Sequence, residues 1–136
     1  MSKAIVNFDG GARSNPGPAA IGVVVRDGDG AVLQEVGEKI GKATNNVAEY
    51  RALLRGIELA AAQGATELEL VGDSMLVVRQ VEGGYKVKNA GLKELHAEVK
   101  KALAGFDSWS IRYVPRAENA DADRLVNEAF DGVLDD

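Results

Sequence analysis

The sequence predicts an α/β fold: a five-stranded mixed sheet flanked by helices, in the order β-β-β-α-β-α-α-β-α. Three observations carry this expectation. First, three runs rich in β-branched residues follow one another at the start of the chain, separated only by short turns, which is the pattern of an antiparallel meander. Second, helix-spaced apolar stripes precede each of the two later strands, so those strands can join the sheet in parallel sense. Third, one more apolar stripe closes the chain, giving helices enough apolar surface to cover a sheet.

Residues 3–9 read as a strand apolar on both faces, so the first strand is expected to be central, and it ends on a lone carboxylate, Asp9. Residues 10–17, with Gly10, Gly11, Asn15, Pro16 and Gly17, form the turn that follows. Residues 20–26 are the second strand. Asp27-Gly28-Asp29-Gly30 is a hairpin turn, because Asp-Gly tolerates positive φ, and residues 31–40 return as the third strand. Residues 41–46 break the pattern. Val47, Tyr50, Leu54, Ile57 and Ala61 then recur at spacings of three and four, predicting a helix that runs to about Gln63 and closes at Gly64. Residues 67–72 form the fourth strand, with Asp73 at its end. Residues 74–81 make a short helix stopped by Gly83-Gly84, and residues 85–89 are a basic connector. Leu92, Leu95, Val99 and Leu103 mark a helix over 90–104; residues 109–114 alternate as the fifth strand, ended by Pro115. Ala122, Leu125, Val126, Ala129, Phe130 and Val133 mark the last helix.

A chain of 136 residues suits one domain, here 1–136, with 131–136 expected to fray. The absence of cysteine excludes disulfides and thiolate metal sites and fits a reducing compartment. The N-terminal apolar run is too short for a signal peptide and no stretch approaches a membrane span, so a cytoplasmic protein is expected, and separately a monomer. Net charge is -5, but it is uneven: residues 79–116 hold 8 basic and 4 acidic groups, whereas residues 117–136 hold 1 and 7. A basic face therefore survives an acidic total.

The carboxylates are the informative feature. Asp9 and Asp73 end two strands, where α/β sheets place ligands. Glu49 and Asp123 each sit near the start of a helix, beside its apolar stripe rather than opposite it. Each acid has a local use as well. Asp9-Gly10 can be a turn, Glu49 can close a capping box, Asp73-Ser74 can cap a helix, and Asp121 and Asp123 can complement a helix N-terminus. Four acids at core-facing boundaries nonetheless need counter-charge once they meet. Oxygen-only ligands suit Mg²⁺ or Mn²⁺ rather than zinc. Two such ions about 4 Å apart make a clamp for in-line displacement at phosphorus.

The motifs Asp9-Gly10-Gly11 with Asn15-Pro16-Gly17, Thr44-Asn45-Asn46-Val47-Ala48-Glu49, Gly72-Asp73-Ser74, and Val114-Pro115-Arg116 with Asn119-Ala120-Asp121-Ala122-Asp123 stand in order over nearly the whole chain. In these motifs the sequence resembles type 1 ribonuclease H. The resemblance implies metal-dependent endonucleolytic cleavage of the RNA strand of an RNA–DNA hybrid, leaving 5′-phosphate and 3′-hydroxyl ends. It implies Asp9, Glu49, Asp73 and Asp123 as catalytic and metal-binding carboxylates, with Asp123 preferred over Asp121 by the Asn-x-x-Ala-Asp pattern. It implies two Mg²⁺ ions per site in the presence of substrate, with Mn²⁺ as substitute. Asn15, Asn45, Asn46 and Ser74 match substrate contacts of the family, and Thr44 a position that binds a phosphate of the DNA strand; Gly10 and Gly11, which let a phosphodiester backbone come close, and Arg116, which can assist at the scissile phosphate, are further candidate contacts. Short amides of this kind can read a minor groove or a 2′-hydroxyl.

Three departures from the family pattern stand out. Met75 replaces a glutamine that touches RNA in many members. The loop before the last helix, Pro115-Arg116-Ala117-Glu118, lacks the histidine that some members place there; the sole histidine, His96, lies inside a helix and reads as a surface or satisfied residue. The basic protrusion between the second and third helices is missing, leaving Lys86, Lys88, Lys93, Lys100 and Lys101 to replace part of it. Trp109 reads as core rather than as a stacking platform. Competing readings are a resolvase or exonuclease of the same superfamily, a catalytically silent nucleic-acid-binding domain, and a small-phosphate binder; the asparagine-rich loops, the full set of acids, and the missing phosphate loop disfavour them in turn.

Overall fold

The computed structural model describes residues 2–132. Five strands, β1 (Lys3–Ala12), β2 (Gly17–Asp27), β3 (Val32–Ala43), β4 (Glu67–Gly72) and β5 (Ser108–Tyr113), form one sheet in the order β3-β2-β1-β4-β5. β1–β2 and β2–β3 pair antiparallel, whereas β1–β4 and β4–β5 pair parallel. Four helices, α1 (Asn45–Ala62), α2 (Met75–Glu82), α3 (Ala90–Leu103) and α4 (Ala120–Phe130), complete the expected order, with a short 3-10 turn at Arg116–Asn119. Among these residues no helix is long and apolar enough to cross a membrane.

Alternation along β1 sorts the two faces. Val6 and Phe8 point with Val23 and Val25 of β2 into the main core, where Tyr50, Leu53 and Ile57 of α1, Val99 and Leu103 of α3, and Val77, Val78 and Val81 of α2 meet them. Burial of each large side chain contributes about 1.5–3 kcal/mol. The opposite face is thinner. There α4 lays Val126 and Ala129 against Ala20. It comes so close that a Cβ on Gly22 would lie 2.2 Å from the Ala122 carbonyl oxygen, so this position has room only for glycine. At the surface, ion pairs from Arg26 to Asp121 and from Arg124 to Glu35 tie α4 to β2 and β3.

Several boundaries move relative to the sequence expectation. β1 does not stop at Asp9 but runs on to Ala12, because antiparallel pairing with β2 continues to the Ala12–Ala19 rung. The turn before β2 therefore shrinks to residues 13–16. β3 extends through Gly41, at positive φ, to Ala43, since Gly17 and Pro18 of β2 pair with it there. α1 begins two residues early, at Asn45, because Thr44 is its N-cap and accepts from the Val47 N–H at 3.2 Å. α4 ends at Phe130; the expected contribution of Val133, and most of the tail from 131 to 136, lie outside the described residues.

Candidate active site

β1 is antiparallel to one neighbour and parallel to the other, and this switch builds the site. The parallel ladder with β4 ends at the Phe8–Gly72 rung. Asp9 and Asp73 are the next residues on their strands, so both carboxylates emerge at one sheet edge just past the last rung. Asp9 is thus not a strand terminus but a mid-strand residue whose β4 side has been vacated, and it is buried, at 9% exposure.

Glu49 arrives from α1, one turn past the cap. It does not close a capping box. Its Oε1 accepts from the Gly10 N–H at 2.6 Å, and the same N–H lies 3.0 Å from Asp9 Oδ1, so one backbone donor serves two carboxylates. Close packing makes this possible: a Cβ on Gly10 would sit 2.4 Å from the Ala48 carbonyl carbon. Gly10 therefore has a packing reason to be glycine. Gly11 has none of comparable force, since its Cβ would only touch Asn45 Oδ1 at 3.9 Å.

Oxygens of Asp9, Glu49 and Asp73 all lie within 4.8 Å of one another. Asp123, in the first turn of α4, stands against Asp9 from the opposite face, and its Oδ1 accepts from Arg116 Nη2 at 3.0 Å. The four sequence-predicted carboxylates are thus together, three as a tight trio and the fourth at the rim. Burial first, then the charges of Asp73 and Asp123, push Asp9 up to about 7. Burial and the Asp9 charge hold Glu49 well above the usual carboxylate range. Asp73 is raised by burial, with Arg116 opposing. Arg116 is itself held more firmly protonated by its bond to Asp123. A trio of acids this strained by its own charge, offering only oxygen, fits a hard divalent cation of the Mg²⁺ or Mn²⁺ kind.

The trio sits beneath an open cleft of about 480 Å³ walled by Asp9, Gly11, Arg13, Asn45, Asp73, Arg116 and Asp123. At its rim the Asn15 Oδ1 accepts from the Asn45 N–H at 3.0 Å, and the Asn45 Oδ1 accepts from the Ala12 N–H at 2.8 Å. These bonds lock loop to helix and leave the amide NH₂ groups of both exposed residues as donors. Asn46 is exposed beside them. Thr44 and Ser74 are both N-caps, Ser74 accepting from the Val77 N–H at 3.4 Å, so turn chemistry accounts for their presence at these positions. Met75 is exposed next to Ser74.

Away from the cleft, His96 is satisfied: its Nε2 lies 3.1 Å from the Gln80 carbonyl oxygen. Trp109 packs on the core with Lys100 Nζ 4.9 Å from its ring centroid. Lys100 also donates to the Val81 carbonyl at 3.1 Å, which ties its ammonium to α2 while leaving the residue exposed. Lys86, Lys88, Lys93 and Lys101 are exposed.

Sequence reasoning gave no role to Asn7 or to Asn119, although Asn119 stands at the head of the motif that selects Asp123. Asn119, only 1% exposed, donates from Nδ2 to the Phe8 carbonyl at 2.9 Å and accepts on Oδ1 from Asn7 Nδ2 at 3.0 Å. The signal was present as a lone amide inside the apolar first strand, an arrangement that requires a partner.

A family model described as reverse transcriptase-like matches residues 7–129. The chain is 49% identical over 124 residues to a ribonuclease HI of Halobacterium salinarum, covering 91% of this chain and 62% of that protein. The crystal structure of the RNase H1 from that archaeon superimposes with a TM-score of 0.93 at 47% identity, covering 96% of this chain and 98% of that one. A bifunctional protein of Mycobacterium tuberculosis is 46% identical over 95% of this chain, which spans 36% of that protein's length. LC11-RNase H1, solved in complex with an RNA/DNA hybrid, matches with a TM-score of 0.90 at 46% identity, over 96% of this chain and 99% of that one. The chain thus spans less than two thirds of the curated relatives it matches first. With the carboxylate trio at the β1–β4 edge and these matches along its length, the chain belongs to the type 1 ribonuclease H family.

Proposed function

We propose that this protein is a metal-dependent endonuclease that hydrolyses the RNA strand of RNA–DNA hybrids. The observation that carries this is the Asp9–Glu49–Asp73 trio, with oxygens inside 4.8 Å, under a cleft rimmed by amide donors. The likeness to LC11-RNase H1, whose own structure holds a hybrid, supports the substrate class. The cleft also continues past Arg13 and Phe130 into a second hollow of about 820 Å³ that includes Lys42, which suits an extended polyanion better than a small phosphate.

In this reading Asp9, Glu49, Asp73 and Asp123 would hold two divalent cations, Mg²⁺ or Mn²⁺. When bound, such ions supply the positive charge that lowers the cost of an attacking water and of a departing oxygen at phosphorus. The protein's own groups set the stage. Asp9 keeps its proton to near neutral pH and releases it as counter-charge arrives. The Gly10 N–H fixes the Glu49 carboxylate in one orientation. Arg116, 75% exposed along its side chain, is free to swing from Asp123 toward a phosphate oxygen. Thr44, Asn45, Asn46 and Asn15 present a hydroxyl and amides along the rim, where a 2′-hydroxyl distinguishes RNA from DNA. Water adds to phosphorus as the P–O3′ bond breaks, the water gives up a proton and the departing O3′ takes one from solvent, so the products carry 5′-phosphate and 3′-hydroxyl ends. The same reading takes the chain as one ribonuclease H domain acting as a cytoplasmic monomer.

The test is incubation of the purified protein with labelled RNA–DNA hybrid, duplex DNA and duplex RNA, each with Mg²⁺, Mn²⁺ or EDTA. Cutting of the hybrid's RNA strand that EDTA abolishes is expected. Cutting of DNA alone, or hybrid binding with no metal-dependent cutting, overturns the proposal.

A further inference from the structure

We infer that Asn119, oriented by Asn7, is a positioning residue that sets the separation of the Asp9 and Asp123 carboxylates, an inference that rests on the functional reading above. Three observations converge on it. Asn119 immediately precedes α4, one turn before Asp123, and its Nδ2 is bonded to the carbonyl of Phe8, the residue before Asp9. One buried side chain therefore links the strand that carries one acid to the helix that carries the other, across 111 residues of sequence. The Asn7 amide donates to Asn119 Oδ1, which leaves Nδ2 as the group that faces Phe8. Finally, Asn119 makes no side-chain cap bond to its own helix, so its amide is committed to β1 rather than to local helix chemistry.

The other ties of α4 either reach the sheet through β2 and β3 or are exposed: Val126 and Ala129 pack on Ala20, and the Arg116–Asp123 pair lies at the open rim. Gly22 sets how near the helix comes to the sheet, and the Arg26–Asp121 and Arg124–Glu35 pairs are exposed surface contacts, which constrain weakly. Two acids that must share cations tolerate little error in spacing, because a displacement of an ångström costs a large factor in rate.

Asn119→Ala, Asn7→Ala and a control, Leu103→Ala, whose truncated side chain lies in α3 away from the cleft, are compared with the parent. Measured are kcat and KM on hybrid with Mg²⁺, well below every midpoint, and the gain in Tm that Mg²⁺ confers without substrate. The expected result is a fall in kcat of at least 10-fold for Asn119→Ala with KM within 2-fold, a smaller fall for Asn7→Ala, and a reduced Mg²⁺ gain in Tm for both, while Leu103→Ala keeps the parent kcat and the parent gain despite its lower Tm. If Asn119→Ala does not fold, Asn119→Ser and Asn7→Ala carry the same comparison. Variants that track the control in kcat and in Mg²⁺ gain, while the parent cuts hybrid, overturn the inference alone. A parent that neither cuts hybrid nor gains Tm from Mg²⁺ overturns the functional reading and this inference with it.

Discussion

Replacing Asp9 by asparagine should stabilise the metal-free protein above neutral pH, by an amount that the geometry allows to be worked out. In the fold, Asp9 holds its proton up to about pH 7; unfolded, it releases it near 3.8. Between those values the native chain binds more protons than the unfolded one, so stability falls as pH rises. The penalty is absent below pH 3.8 and complete above pH 7. A displacement of about three pH units at about 1.36 kcal/mol each sets a ceiling of about 4 kcal/mol. The cleft is open to water and Arg116 lies nearby, which reduces this to about 2 kcal/mol. Asparagine is nearly isosteric and its Oδ1 keeps the bond from the Gly10 N–H, now 3.0 Å long, so little is lost in exchange. For a chain of this length about 2 kcal/mol corresponds to about 8 °C in Tm.

Scanning calorimetry of parent and Asp9→Asn in EDTA, at pH 4 and pH 8, makes the comparison. The two should melt together at pH 4, and the variant should melt about 8 °C higher at pH 8. Addition of Mg²⁺ should then raise the parent and leave the variant almost unchanged, since binding to the native state alone stabilises it. A variant that melts at or below the parent at pH 8 in EDTA, or a gap that widens toward pH 4, refutes the account of Asp9 as a carboxylate strained by its neighbours.

Arg116→Ala should tighten Mg²⁺ binding by a factor of about 2–5, because the cation that competes for Asp123 is exposed and such pairs are weak; isothermal titration calorimetry showing equal or weaker binding would count against that competition. Gly10→Ala should cost about 1–3 kcal/mol, read as a lowered urea midpoint, since its methyl must displace α1 backbone only 2.4 Å away. Gly11→Ala, with its nearest contact at 3.9 Å, should leave the midpoint within about 0.5 kcal/mol of the parent. Leu53→Ala, fully buried between α1 and the sheet, should cost about 2–5 kcal/mol in the same assay.

The parts of the molecule that were legible in the sequence share one property: each is a repeated choice. The stripe of Val47, Tyr50, Leu54 and Ile57 and the alternation of residues 109–114 recur often enough to specify a helix and a strand. The carboxylates were legible for a related reason, since four acids on core-facing boundaries have no common local explanation. What was not legible depends on a single long-range neighbour. β1 passes Asp9 because β2 continues beside it to Ala12, and nothing within residues 9–12 announces that partner. Glu49 looks like a capping residue until Gly10 approaches its helix and offers an N–H. Gly10 reads as a turn glycine and Gly22 as one residue of the second strand until the backbones of α1 and α4 arrive at 2.4 and 2.2 Å from their absent side chains.

These single neighbours matter most where the chain works against its own stability. Charge repulsion and burial both raise the free energy of the metal-free trio, and no local propensity restores it. The acids stay together because α1 and α4 are each fixed elsewhere, α1 by Tyr50, Leu53 and Ile57 in the main core and α4 by Gly22, Asn119 and its surface ion pairs. A conflict held in place by the surrounding packing is what makes the site receptive to cations, because the exposed Arg116 offsets only part of the charge that the acids bring together.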